Sequence, residues 1–386
     1  MKKIYAIAGF VLPLLFASGA GAASITWSQQ NYNTGSVGYL PRLASDSWYQ
    51  WSDIFETSTG FNYLAYQTAA DCEGFITCPW GGVNWAPYAF YEIDSSGNYI
   101  IGHAPSISIV SNSSYYSYYT TALEVHQGGQ DNGSELWYTL GSCNPGGYPA
   151  SCGGVDWLTS QSYDTGHNPS VSIDASTNNA RPSVVEVHQA GTNLSDLWYH
   201  VGTLTPAATT TASNPPSITW GPPYPIENIS GASVAGYAPS VSVANGYVVV
   251  AYQGTSGTLS YSFGQISGNV IRWQNPVNYG TGYSPSISML GADLTGGSGA
   301  IVEAHQGDTG TGPLYYRLGK LNSSTAPTGI TWTPNSSTEY ATSGCYPSIA
   351  LFDANAYLGI GPVNVGELHS TACGEAAKLL FSFGSF

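Results

Sequence analysis

Charge is what this chain has least of. Among 386 residues there are eight Lys plus Arg against 23 Asp plus Glu, and charged side chains make up only 8% of the sequence. Nucleic-acid affinity comes from clustered Lys and Arg on phosphates, so nucleic acid is a poor partner, and acidic lipid surfaces are disfavoured for the same reason. Long apolar runs are also scarce. After Ile4 to Phe16 no segment approaches the roughly 20 apolar residues that cross a bilayer, so membrane insertion is not expected. No Cys-x-x-Cys pair, His-Glu-x-x-His helix motif or Gly-x-Ser-x-Gly elbow occurs, and no His stands beside a Cys at ligand spacing. Neither a metal nor a cofactor is therefore expected, and two common catalytic signatures are missing.

Lys2-Lys3, the short apolar core and the small residues Ala20-Gly21-Ala22 read as a bacterial-type secretory signal peptide over 1–22. Residues 23–386 are then the exported protein, extracellular or periplasmic. Without Lys2 and Lys3 its formal balance is six basic against 23 acidic groups. Six cysteines in an exported chain read as disulfides, and locality favours Cys72 with Cys78, Cys143 with Cys152, and Cys345 with Cys373.

What the sequence has is repetition. One unit recurs six times, beginning successively at Trp27, Trp85, Trp157, Trp220, Trp273 and Trp332, and the third copy is the cleanest. It runs Val155-Asp156-Trp157, Gly166-His167-Asn168-Pro169-Ser170-Val171-Ser172-Ile173, Val184-Val185-Glu186-Val187-His188-Gln189, then Leu197-Trp198-Tyr199-His200-Val201-Gly202. These runs are short, rich in β-branched and aromatic residues, bounded by Gly and Pro, and free of helical period. A small antiparallel sheet repeated radially gives an all-β fold, a six-bladed β-propeller of four-stranded blades. Thr205 to Pro216 has no apolar period and reads as a long loop between repeats three and four, within a single domain.

The series Pro-Ser-x-x-x, apolar-x-aromatic-Gln, aromatic strand, Thr-Trp resembles the blades of sialidase-type propellers and of bacterial and fungal propeller lectins. That resemblance implies the strand order, with the Pro-Ser strand innermost and the Trp strand outermost. The first blade would then run from Pro41 to Trp85, and the leftover strand Ser24-Ile25-Thr26-Trp27 would close the ring beside Leu379 to Phe383. It breaks at the sialidase chemistry: the Ser-x-Asp-x-Gly-x-Thr-Trp turn is absent, and Arg42, Arg181, Arg272 and Arg317 are the only arginines.

Two motifs come closest to chemistry. Glu-x-His-Gln occurs as Glu124/His126/Gln127, Glu186/His188/Gln189 and Glu303/His305/Gln306, and as Glu367/His369 followed by Ser370; Tyr66 and Tyr252, each followed by Gln, take the His place in repeats one and four. On a strand the Glu and His share a face, towards the neighbouring blade, and the Gln points the other way. Such a pair is either a structural bridge between blades or a repeated ligand pocket. The second motif is Gly-[His/Tyr]-x-Pro before each innermost strand. It presents His103, His167, Tyr237 and Tyr283, and Tyr39 in the first repeat, whereas the sixth copy reads Gly344-Cys345-Tyr346-Pro347. These rings either plug the gaps between blades or stack on sugars. The Leu-Trp-Tyr runs at 136–138 and 197–199 read as blade packing.

A polar, nearly uncharged surface suits neutral sugars, and several similar sites on one face suit avidity. The expectation is a secreted lectin-like propeller without catalytic residues, binding glycans. A glycan-cleaving enzyme and a non-catalytic protein-binding virulence or matrix scaffold are the alternatives; oligomeric state is left open.

Overall fold

The alternation read from the repeats is realised strand by strand. The computed structural model describes residues 24–45, 50–57, 63–71, 83–85, 90–114, 117–128, 133–143, 155–174, 181–190, 195–206, 215–291, 299–323, 326–352, 363–374 and 377–386. Residues 1–22, Cys72, Cys78 and Cys152, and most of the Thr205–Pro216 stretch lie outside them. Among the described residues the only helical segment is a single 3-10 turn, Thr255–Gly257, and none is long and apolar enough to cross a membrane.

The protein is an all-β propeller in which four sheets stand as separate blades. In the third, strands His167–Asp174, Ser183–Ala190, Asp196–Thr205 and Ser217–Trp220 follow one another antiparallel from the inside outwards, as expected. The outermost strand is broken: a short fifth strand, here Tyr224–Pro225, also pairs with the third. The other separate blades begin with Tyr39–Ser45, Gly102–Ser114 and Tyr237–Ala244.

The count of six separate blades is corrected. The remaining strands make one seven-stranded sheet, because Ile330–Phe352 runs unbroken for 23 residues. Its first half pairs with Gly312–Leu321 and its second half with Asn364–Ser370. What the sequence suggests as the outer strand of one unit and the inner strand of the next is thus a single strand. At the far edge Thr26–Val37 pairs antiparallel with Lys378–Ser385.

Apolar side chains pack across the joints between blades. Val185, Val187 and Val201 of the third blade pack with Val241, Val248 and Val250 of the fourth, all 5% exposed or less. Another cluster joins Phe381 and Leu379 of the seven-stranded sheet to Leu43 and Phe55 of the first blade. Fully burying such a side chain contributes about 1.5–3 kcal/mol, so each joint draws on several times that amount before entropy.

Two polar latches repeat around the molecule. Near the axis the serines of Pro-Ser-x-Ser accept backbone N–H groups from the next inner strand: Ser170 Oγ from Val241 (3.1 Å), Ser240 Oγ from Ile287 (3.0 Å), Ser286 Oγ from Ile349 (3.0 Å) and Ser348 Oγ from Leu43 (2.8 Å). At the periphery the third-strand Tyr meets the Trp that ends the next unit edge-on: Tyr66 with Trp157, Tyr138 with Trp220, Tyr199 with Trp273, Tyr261 with Trp332 and Tyr316 with Trp27. Such an edge-on pair adds about 0.5–1.5 kcal/mol beyond its burial. The Leu-Trp-Tyr run was read as blade packing, and its Tyr does pack between blades.

Candidate functional site

Gly-[His/Tyr]-x-Pro is a strained turn, and its strain is the same in every repeat. The residue before Pro lies in the left-handed region in all six copies, Leu40, Ala104, Asn168, Ala238, Ser284 and Tyr346, with φ between 46° and 53°. That residue interrupts the register between the first two strands of each unit. The Gly has a different reason. A Cβ on Gly166 would meet the His188 ring at 2.5 Å, and one on Gly102 would meet the His126 ring at 2.3 Å. The Gly of one motif is therefore required by the His of the other, a coupling that spacing alone does not reveal.

The Glu-x-His pairs are sealed between blades. Glu124, Glu186, Glu303 and Glu367 are wholly buried, and His126, His188, His305 and His369 are at most 2% exposed. Each His Nδ1 lies against its own Glu: 2.9 Å for His126, 3.1 Å for His188, and 3.0 Å for His305 and His369. Burial holds the Glu124 carboxyl well above the usual carboxylate range and brings His126 down to about 4, so this pair favours its uncharged forms.

At the Glu186, Glu303 and Glu367 bridges a tyrosine from the preceding unit stands beside the acid. Tyr279, bulged out of the Val277–Thr281 strand, donates its hydroxyl to Glu303 at 3.0 Å. Tyr163 and Tyr340 occupy the corresponding bulges, and burial followed by the charge of Glu186 or Glu367 holds each phenol well above its ordinary pKa. The Gln indeed turns the other way. Gln189 Oε1 accepts from Ala238 N (3.1 Å) and Gln306 Oε1 from Tyr346 N (3.3 Å), which ties down the next strained turn; Gln127 donates to Gly133 O (3.0 Å).

Repeat one is corrected. Tyr66-Gln67 lies on the third strand, and the second strand carries Asp53-Ile54-Phe55-Glu56 instead, with Glu56 opposite Tyr39 as Gln189 is opposite His167. Glu56 takes over the role of Gln, accepting from Ala104 N at 2.6 Å and lying 3.2 Å from His103 Nδ1. The sequence misleads because an aromatic followed by Gln on an alternating strand looks alike on either strand.

Among the turn rings whose side chains are described, Tyr237 is the most open, at 38%. His103, His167 and Tyr283 are half-buried, and burial, then repulsion by His188, lowers the pKa of His167. Cys345 replaces the ring in the last copy and forms the expected disulfide with Cys373. The pairings Cys72–Cys78 and Cys143–Cys152 fall on side chains outside the described residues.

A different site emerges at the periphery, where the third and fourth blades enclose a cleft of about 220 Å³. Tyr199, Tyr224 and Trp273 form its aromatic walls, and Glu227 and Asn228 supply polar groups. Tyr199 and Tyr224 stand 6.0 Å apart, centroid to centroid, and Tyr199 meets Trp273 edge-on at 5.5 Å. Tyr199 accepts a hydrogen bond from Ile271 N (3.0 Å), so its hydroxyl hydrogen is available to another acceptor. Sequence reasoning passed over this site because its residues come from three separated segments, and two of them carry a repeat motif that looks purely structural.

No protein-family model and no curated protein matches the sequence. Solved structures do resemble it in fold. The fucose-specific lectin of Aleuria aurantia aligns over 91% of this chain and 97% of its own at 12% identity and a TM-score of 0.50; the same fungal lectin in complex with α-methyl-L-fucoside aligns over 90% and 96% at 14% identity and 0.50. A sialidase of Trypanosoma rangeli aligns over 90% of this chain at 9% identity and a TM-score of 0.46, and this chain spans 54% of that enzyme's length. At these identities the likeness concerns the fold.

Proposed function

We propose that this is an exported carbohydrate-binding propeller, residues 23–386 forming one domain, whose principal sugar site is the cleft between the third and fourth blades. The cleft carries the reading. A pyranose offers an apolar face to the partly exposed ring of Tyr224, and hydroxyls to a carboxylate and an amide such as Glu227 and Asn228. The scarcity of charge favours neutral sugars, and the Cys345–Cys373 disulfide suits an oxidising compartment.

The seven-stranded sheet joins the two ends of the repeat array: Ile330–Phe352 serves two sheet halves, Trp27 stands against Tyr316 as the other repeat-ending tryptophans stand against their tyrosines, and Phe381 packs against the first blade. The N-terminal strand would then complete the last blade and close the ring. Glu124, His126, Gln127, Glu186, His188, Gln189, Glu303, His305 and Gln306 are read as bridges between blades, because their burial keeps them from a sugar. His103, His167, Tyr237 and Tyr283 are kept as a second, more open set of ligand contacts on the turn face.

The test is a glycan array probed with the oxidised protein and with the Tyr224→Ala and Glu227→Gln variants. Saturable binding to neutral glycans, lost in both variants while their circular dichroism is unchanged, is the expected result. Blank arrays would replace the lectin with a protein-binding scaffold, and shrinking of the bound glycan would make it an enzyme.

A further inference from the structure

One Glu-x-His bridge differs from the others in what surrounds its outward nitrogen. His188 directs Nδ1 at Glu186 Oε2 (3.1 Å), and Nε2, wholly buried, has no hydrogen-bond partner among the described residues. That Nε2 faces Asp164 Oδ2 at 3.7 Å, and His200 Nε2 reaches the same oxygen at 2.8 Å. His200 in turn donates its Nδ1–H to Gly221 O at 2.9 Å. Both imidazoles therefore have Nδ1 engaged by an oxygen acceptor and Nε2 aimed at one carboxylate, and all three inward atoms lie within 4.8 Å of one another.

We propose that Asp164, His188 and His200 form a site for a borderline divalent cation, zinc foremost, at the joint between the second and third blades. Two imidazoles and a carboxylate are the donors such ions take, and an oxygen holding the far nitrogen of each ligating His is the usual outer support. Tetrahedral coordination places neighbouring ligand atoms about 3.3 Å apart at zinc–nitrogen distances near 2 Å. The two nitrogen–oxygen separations, 2.8 and 3.7 Å, bracket that spacing. The ion takes the lone pairs of both Nε2 atoms, and any proton held between His200 and Asp164 leaves to water. The Asp164 side chain is 22% exposed, which opens the fourth position to solvent, and Tyr163 and Trp220, stacked at 5.2 Å, wall the His200 side.

The other joints locate the specificity. Opposite the buried acid, or opposite Val250 in the fourth blade, the place of His200 is held by Gln67, Thr139, Ser262, Arg317 and Ser382. The place of Asp164 is held by Gly280 and Ala341 in the units that share the Tyr bulge. At the Glu303 joint Gly280 and Arg317 occur together, and the guanidinium lies 3.2 Å from where a Gly280 Cβ would stand. Asp and His thus coincide at one joint, where a repeated scaffold becomes a single asymmetric site.

The test is titration of the chelator-stripped protein with Co²⁺, followed by visible absorption, with Zn²⁺ as competitor and melting temperature as a second readout. One equivalent of Co²⁺ giving the strong visible bands of low coordination, displaced by Zn²⁺, together with a Zn²⁺-dependent rise in Tm, is expected. The double variant Asp164→Gly/His200→Arg, which copies the Gly280/Arg317 joint, should fold and lose both signals. Asp164→Asn should weaken them at least tenfold. Absence of the bands in the native protein, or the same equivalent bound by the double variant, would overturn the site.

Discussion

The joint around Glu186 and the joint around Glu303 hold the same three groups, a buried Glu, the His two residues on and a Tyr from the preceding blade, yet they finish differently. One is completed by Asp164 and His200, the other by Gly280 and Arg317. A third joint dispenses with the acid: Val250 stands in the place of Glu, Ile226 in the place of Tyr, and both are fully buried. The acid is therefore one of two solutions to filling the gap between blades. At the Glu186, Glu303 and Glu367 joints a Tyr accompanies it, since a buried carboxylate needs a donor whereas a valine needs only an apolar neighbour.

The largest expected effect tests this equivalence. Glu303→Ala strands the Tyr279 hydroxyl and His305 Nδ1, and should lower stability by about 3 kcal/mol or more in urea unfolding. The quadruple variant Tyr279→Ile/Glu303→Val/His305→Tyr/Arg317→Ser rebuilds the joint as Ile226, Val250, Tyr252 and Ser262, and should recover most of that loss. If it is no better than Glu303→Ala, the two kinds of joint are not interchangeable.

The first-to-second joint carries a flaw the others lack. Glu92 is fully buried beside Glu124 and His126, and neither of its carboxylate oxygens has a partner among the described residues. Burial first, then the charge of Glu124, holds its carboxyl well above the usual range, against a smaller downward pull from His126. A raised carboxyl favours folding below the ordinary value of about 4.3 and forfeits that advantage as pH climbs through the folded pKa. Glu92→Gln should thus gain about 1–3 kcal/mol at pH 7–8 and nothing near pH 4. A Tm at pH 8 no higher than that of the native protein would mean that Glu92 is satisfied in place.

The smallest effect concerns the axis. Ser240→Ala removes one acceptor from the inner latch and should cost about 1 kcal/mol, read by urea unfolding. At the first-to-second joint Arg42 and Ala44 stand where the next four units have two serines each, so Ala44→Ser asks whether a missing latch can be restored. Faster amide exchange confined to Ile287 in Ser240→Ala would locate the loss at that latch, and exchange spread across the blade would refute a local role.

How much of this was legible beforehand varies by residue. The Pro-Ser-Val-Ser runs announced strands, because two-residue alternation is a property of the backbone and needs no partner. The purpose of their serines was hidden, since Ser170 bonds to Val241, 71 residues on. Tyr66-Gln67 looked like a member of the Glu-x-His-Gln series and is not, because period-2 patterning gives the face of a strand and not its rank in the sheet. Asp164 and His200 carried no signal: one sits on a short edge strand of the second blade, the other inside the third.

By itself the sequence determined the repeat, the all-β class, the turn chemistry and the pairing of Cys345 with Cys373, all governed by local spacing and composition. Tertiary structure alone decided that Ile330–Phe352 is one strand, that the Glu-x-His pairs are sealed, that the aromatic cleft opens between the third and fourth blades, and that Asp164, His188 and His200 converge. Each of these depends on how one blade lies against the next, and no residue's immediate neighbours in the chain encode that distance.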